Sequence, residues 1–305
     1  MVGCHLLRCL WAVAALLLVL APATGRAESP TVKGVGQGDL RPMVFSVVRS
    51  SRPGCEPTCP EWIYGEGDIN ADTPLKLNKV LKSLGARKLP VVLNSAGGDV
   101  DAALAMGRAI RAAKLDAAVG GTVFMGCDPR DLKCVPDKSK GGGYRGAPYT
   151  MGAMCNSACP LVLAGGVRRL SGAWAHLGVH QITTRFVKTQ VQYRTTFRIE
   201  NGRKKILGKK IVGRKNVGSY TTVEMGPLTE KKLRRYLGEM GVEATVVDAM
   251  ISTPASEIRR LGTDEASAMK LITSKDSVEF VTSPDVCKVV PAANNCRVLL
   301  ASDTE

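Results

Sequence analysis

Histidine is scarce in this chain, with three in 305 residues. His5 falls in an N-terminal stretch that reads as a cleaved export signal, so histidine-dependent chemistry in the mature chain must use His176 or His180. Acids are short as well: 27 Asp and Glu stand against 42 Lys and Arg, a formal charge of +15. Past the N-terminus no apolar run reaches the roughly 20 residues a bilayer span needs. None of the ten cysteines forms the tight Cys-x-x-Cys pair common in zinc sites. No nucleic-acid-binding motif accompanies the positive charge, so no nucleic acid is expected as a partner. No metal and no cofactor is expected either, and no ATPase signature is present.

At the N-terminus, His5 and Arg8 precede an apolar run from Cys9 to Leu20, and small residues follow at Ala21, Ala23 and Ala27. This is the layout of a secretory signal peptide over residues 1–27, cleaved after Ala23 or Ala27. The expected location is exported, periplasmic. Removing Cys4 and Cys9 leaves eight cysteines in four local pairs: Cys55/Cys59, Cys127/Cys134, Cys155/Cys159 and Cys287/Cys296. In an oxidising compartment such pairs read as disulfides rather than zinc ligands, although spacing does not set their connectivity.

Strand and helix signals alternate through the middle of the chain. Apolar, β-branched runs at 43–48, 62–69, 89–93 and 117–123 read as strands. Residues 73–84, with Thr73 as the cap, and a segment from about Asp99 read as helices. Residues 125–154 read as loop, and no repeat of fixed period is evident. Three further helical segments, 229–240, 244–251 and 264–271, follow. The pattern predicts an α/β domain over residues 28–285 with parallel strands, then a Cys-stapled tail over 286–305. Asn201-Gly202 between two β-like runs predicts an inserted hairpin at about 185–223. Eleven Lys and Arg between 185 and 215 face one acid, Glu200. That charge either keeps ribbon edges from aggregating or attracts an anionic envelope surface.

Three local features bear on chemistry. Asn94-Ser-Ala-Gly-Gly98 joins a buried strand to a helix, and two glycines let backbone N–H groups approach a substrate closely. Cys155-Asn-Ser-Ala-Cys-Pro160 sets Ser157 at the mouth of an apolar helix, between cysteines that would lock the turn if bridged. Leu177-Gly-Val-His-Gln181 puts His180 in a short strand, and alternation turns His176 elsewhere. Taken singly, each has a plainer reading: a tight turn, a helix cap, a core histidine.

Taken together and in this order, they resemble the ClpP peptidases, with their Asn-Ser-Pro-Gly-Gly loop, serine in a small-residue turn, and Ile-His-Gln. They are more similar still to periplasmic ClpP/crotonase-like proteins, which share the Cys-x-x-x-Cys-Pro-x-Trp run seen from Cys55 to Trp62. The resemblance covers roughly residues 43–273. It implies a ClpP/crotonase-like fold of stacked ββα units and a serine hydrolase, peptidase-like, acting on a peptide or ester. Ser157 matches the nucleophile and His180 the base. Gly97 or Gly98, with Ala158, match the oxyanion donors. Such folds commonly form homo-oligomers. The acid that would orient His180 has no clear match: Glu257 is one candidate and Asp248 a weaker one, and a dyad or a backbone carbonyl are alternatives. The rival readings are a non-catalytic envelope protein, a thioester-processing crotonase, and a basic surface-binding module.

Overall fold

The computed structural model describes residues 31–33, 41–136 and 143–299. The expected export signal, residues 1–27, lies outside the described residues, as does the end of the tail from 300.

The first part of the chain alternates strands and helices. In order come β1 (Thr31–Lys33), β2 (Val44–Ser50), β3 (Thr58–Glu66), α1 (Thr73–Leu84), β4 (Val91–Asn94) and α2 (Val100–Ala112). Next are β5 (Ala117–Val119), β6 (Gly121–Phe124), β7 (Tyr144–Tyr149), β8 (Met154–Asn156), α3 (Cys159–Leu163), β9 (Arg169–Leu170) and β10 (His176–Val179). The ribbon strands β11 (Thr184–Glu200) and β12 (Arg203–Thr222) follow. Then come α4 (Pro227–Glu239), α5 (Thr245–Ser252), β13 (Glu257–Arg260), α6 (Thr263–Ala268), α7 (Glu279–Thr282) and β14 (Cys296–Val298).

The architecture is α/β, built on two sheets. In the larger the order is β6-β7-β2-β3-β4-β5-β9, with β14 beside β3. From β3 through β4 and β5 to β9 the strands run parallel, as the apolar run Val91-Val-Leu93 requires of a strand buried on both faces. One face carries the main core, with Leu77, Leu93, Leu104, Met106 and Ile110 fully or nearly buried between sheet and helices. Trp62, Tyr64 and Val92 face the other way into a smaller cluster, where Trp62 Nε1 donates to Thr122 Oγ1 at 3.0 Å. The smaller sheet has the order β1-β13-β10-β8. The two sheets meet where Ser95, just past β4, bridges Cys155 in β8.

Several local expectations shift. Thr73 is the first residue of α1 rather than its cap: Asp72 holds the cap position, and Thr73 Oγ1 accepts the Asn70 N–H at 2.8 Å. In contrast, Asp99 caps α2 with its carboxylate, accepting from Ala102 N–H at 2.8 Å, an arrangement that stabilises a helix by about 1 kcal/mol. The stretch 125–154 is not all loop, because it contains β7. Tyr-Arg-Gly-Ala-Pro-Tyr reads locally as turn, yet its ladders to β2 and β6 override that preference. Glu257–Arg260, short and charged, gave no strand signal but pairs with β10. The eight cysteines lie at bonding distance as Cys55–Cys59, Cys127–Cys134, Cys155–Cys159 and Cys287–Cys296. Among the described residues, no helix is long and apolar enough to cross a membrane.

β11 and β12 form a two-stranded sheet of their own, paired from Thr184/Thr222 to Glu200/Arg203. Their turn is Asn201-Gly202, both with positive φ (49° and 73°), the conformation an Asn-Gly hairpin turn favours. Three bulges interrupt the ladder, skipping Leu207, Val212 and Val217. These are five residues apart and each precedes a glycine, so β12 does contain a short repeat: Lys-Lys-Ile-Leu-Gly, Lys-Lys-Ile-Val-Gly, Arg-Lys-Asn-Val-Gly over 204–218. A period of five matches neither helix nor strand alternation. It becomes intelligible only as four ladder residues plus one bulged residue.

Candidate active site

Ser157 occupies the turn between β8 and α3 with its backbone in the left-handed region, φ 60°. That conformation costs a non-glycine residue roughly 1–2 kcal/mol, so the surroundings must impose it. The Ser157 N–H donates to the Gly178 carbonyl at 2.9 Å, and the Asn156 N–H to the Ser95 carbonyl at 3.0 Å. Cys155 and Cys159, both fully buried, close a loop around the serine with their Cα atoms 5.0 Å apart. Beyond α3, Arg111 donates to the carbonyls of Ala164, Gly165 and Gly166, and Tyr236 Oη donates to the Leu161 carbonyl at 2.6 Å. The Ser157 segment is thus tied at both ends.

His180 follows β10, the parallel neighbour of β8, and this pairing brings the two side chains together. His180 Nε2 lies 2.7 Å from Ser157 Oγ. On the other side of the ring, Nδ1 lies 3.1 Å from the Ala255 carbonyl oxygen. A carbonyl can only accept, so Nδ1 carries the proton in this pair and the Nε2 lone pair faces the serine hydroxyl. Burial pushes the His180 pKa below its ordinary 6.5, and the bond to Ala255 opposes part of that shift. The ring is therefore neutral at neutral pH, the form a general base requires.

The carbonyl at 255 belongs to an ordered row. Gln181 Nε2 donates to the Ile251 carbonyl at 3.3 Å and the Gln181 N–H to the Thr253 carbonyl at 2.9 Å. With His180 Nδ1 on Ala255, residues 180 and 181 dock on alternate carbonyls of one segment. Gln181 Oε1 also accepts the Met225 N–H at 3.2 Å, where the chain returns from β12.

Neither acid named from the sequence meets the imidazole. Glu257 begins β13 and pairs through its backbone with Lys33, while Nδ1 of His180 is held by Ala255. Asp248 Oδ1 accepts from Arg234 at 2.6 Å. His176 is exposed, and burial together with Arg260 lowers its pKa. The carbonyl at 255 could not be singled out beforehand, since a backbone acceptor leaves no mark on residue type.

Gly97 and Gly98 pass directly beside the serine. Their φ values are 112° and 133°, a region L side chains rarely adopt. A Cβ on Gly97 would stand 2.5 Å from Ser157 Cβ and 2.7 Å from the Asn156 carbonyl. The two glycines differ in one respect. The Gly97 N–H donates to Ser95 Oγ at 3.1 Å, while that hydroxyl donates to the Gly67 carbonyl at 2.6 Å. Among the described residues, the Gly98 and Ala158 N–H groups have no hydrogen-bond partner. The strand-end residue Asn94 braces the same corner: its Oδ1 accepts the Met154 N–H and its Nδ2 donates to Glu66 and to Tyr149 Oη.

No family model matches the chain. No curated protein matches it either. Solved structures do. A point mutant of ClpP1 from Listeria monocytogenes is 12% identical, with 71% of this chain and 91% of that chain covered at a TM-score of 0.38. A mutant of a membrane-bound stomatin-specific protease is 13% identical, with 77% and 87% covered at a TM-score of 0.40.

Proposed function

We propose that the chain is an exported serine hydrolase, peptidase-like, in which Ser157 is the nucleophile and His180 the general base. The observation that carries this reading is the 2.7 Å contact between Ser157 Oγ and His180 Nε2, with the imidazole half-buried and its second nitrogen occupied. Ser157 Oγ attacks a peptide or ester carbonyl as its proton moves to Nε2. The N–H groups of Gly98 and Ala158 receive the developing oxyanion, and the Gly97 N–H, already donating to Ser95, shapes the loop instead. The imidazolium then protonates the leaving group. Water, deprotonated by the same nitrogen, releases the acyl group and restores the serine.

In this scheme a neutral carbonyl orients the base. It selects the tautomer and fixes the ring, as a triad acid does, but it adds no full negative charge to stabilise the imidazolium. The four cysteine pairs suit an oxidising compartment. The basic ribbon serves as an attachment to an anionic envelope surface.

The test is labelling of the purified protein with a fluorophosphonate. Expected are covalent modification at Ser157, its loss in Ser157→Ala and His180→Ala, and labelling within twofold of wild type in Glu257→Gln. Folded protein that takes up no probe refutes the hydrolase reading. It would favour a scaffold that retains the fold without the reaction.

A further inference from the structure

The repeat in β12 gives the ribbon two different faces. Residues paired across the ladder share a face, and faces alternate along β11, which carries no extra residue. On one face Lys205 stands opposite Arg198, Lys210 opposite Arg194, and Lys215 opposite Gln190. Between these rungs lie Gly208 opposite Thr196 and Gly213 opposite Gln192. The other face pairs Ile206 with Phe197 and Ile211 with Tyr193, with Lys204, Lys209 and Arg214 on the rungs between. Each five-residue unit therefore places one cation on each face, and the first face alternates cationic rungs with small polar ones.

Like charges directly opposite one another destabilise a sheet. The ribbon nevertheless sets Lys210 against Arg194 and Lys205 against Arg198. Its only acid, Glu200, sits at the tip, 3.1 Å from Lys205 and 3.9 Å from Arg198. The cationic rungs recur every four residues of β11, about 13 Å. Such a row suits a partner with negative charges strung along its length.

Shape narrows the class. Two-stranded ribbons twist more strongly than wide sheets, and bulges add to the twist. A flat bilayer meets one face of such a ribbon for only part of its length, whereas a flexible linear polymer follows it. The intervening rungs matter too. Gly208 leaves open space where a Cβ would stand, Gln192 lies over Gly213 and fills the space there, and Thr196 and Gln192 offer a hydroxyl and an amide to hydroxyl-bearing units between the charges.

We infer that the face bearing Lys205, Lys210 and Lys215 is a binding track for an acidic polysaccharide. The inference rests on the ribbon's reading as an envelope attachment and is independent of the chemistry at Ser157.

The test uses the full mature chain and alginate, a soluble polyuronate, with neutral dextran as control. One triple variant carries Lys205→Gln, Lys210→Gln and Lys215→Gln. The other carries Lys204→Gln, Lys209→Gln and Arg214→Gln, the same charge loss on the opposite face. Alginate binding is expected to weaken at least tenfold in the first and less than threefold in the second, with both melting as wild type does. Equal losses would mean that bulk charge alone attracts the polymer and would overturn the track. Tighter binding to polyphosphate than to alginate would overturn the role of the hydroxyl and amide rungs. Retention by phosphatidylglycerol vesicles without alginate binding would assign the ribbon to a bilayer. Absence of all binding, with Ser157 still labelled, would refute attachment and leave the hydrolase standing.

Discussion

Removing the Cys155–Cys159 bridge separates a stabilising crosslink from one that shapes the turn at Ser157. Both cysteines are fully buried, so alanine is the replacement that leaves no hydroxyl stranded. The bridge spans a sequence separation of 4. For a loop that short, the chain-entropy relation gives about 2 kcal/mol of stabilisation. At about 2–4 °C per kcal/mol for a domain of this size, melting should fall by roughly 4–8 °C. Cys55–Cys59 is the matched control, since it has the same separation of 4 and cysteines 5% and 0% exposed. It sits at the start of β3, whereas Asn94 of the active corner pairs with Glu66 at that strand's end. The expected loss of stability is the same for both double variants. The expected loss of labelling is not. If the bridge holds Ser157 at its left-handed φ, releasing it lets the turn relax by the roughly 1–2 kcal/mol that conformation costs. Fluorophosphonate labelling should then slow about 5–30-fold in Cys155→Ala/Cys159→Ala. It should stay within twofold in Cys55→Ala/Cys59→Ala. Labelling rates and melting temperatures of the two variants, measured side by side, decide the matter. Equal labelling by both would refute the claim that the bridge shapes the turn at Ser157.

Gly97→Ala places a methyl 2.5 Å from Ser157 Cβ at a φ of 112°, so the Gly97-Gly98 loop must move away from the serine. Labelling is expected to fall roughly 100-fold, the scale of losing one oxyanion donor, and a variant that labels normally would show that the loop does not set the site. The pH profile has a definite sign. In the proposed mechanism His180 acts only when neutral, and burial lowers its pKa, so the labelling rate should rise with pH through a midpoint below 6.5. A midpoint above 6.5 would mean that the ring is solvated or paired with an acid.

The parts of the site legible in the sequence were those written in residue type over a few positions. Glycines at 97 and 98, a serine between cysteines, and a histidine after alternating apolar residues each constrain the local backbone. Their meeting depends on β8 and β10 lying side by side, which order along the chain suggests and only pairing supplies. What stayed hidden was relational. Whether Gly97 or Gly98 keeps a free N–H turns on the rotamer of Ser95, and the partner of His180 is a carbonyl that any residue at 255 would provide. β7 and β13 were missed for a related reason, because their ladders outweigh the Gly, Pro and charge that argue against strand. The ribbon's period of five was in plain view, but it matches no regular element until a bulge is added to each turn of the repeat.

Gln181 has a mechanical consequence. The ribbon is a beam about 55 Å long, fixed at one end. Its root begins within a few residues of the His180 imidazole. A pull at the far end would reach His180 directly if the outgoing strand were free. Gln181 intercepts it: its Nε2 and its own N–H clamp the outgoing chain to the last turn of α5 and to Thr253 just past it, and its Oε1 grips the returning chain at Met225. Outgoing and returning strands are thus shackled together before the load reaches the ring. The segment that takes the strain also carries the Ala255 carbonyl, so histidine and orienting group shift as one body when the beam is loaded.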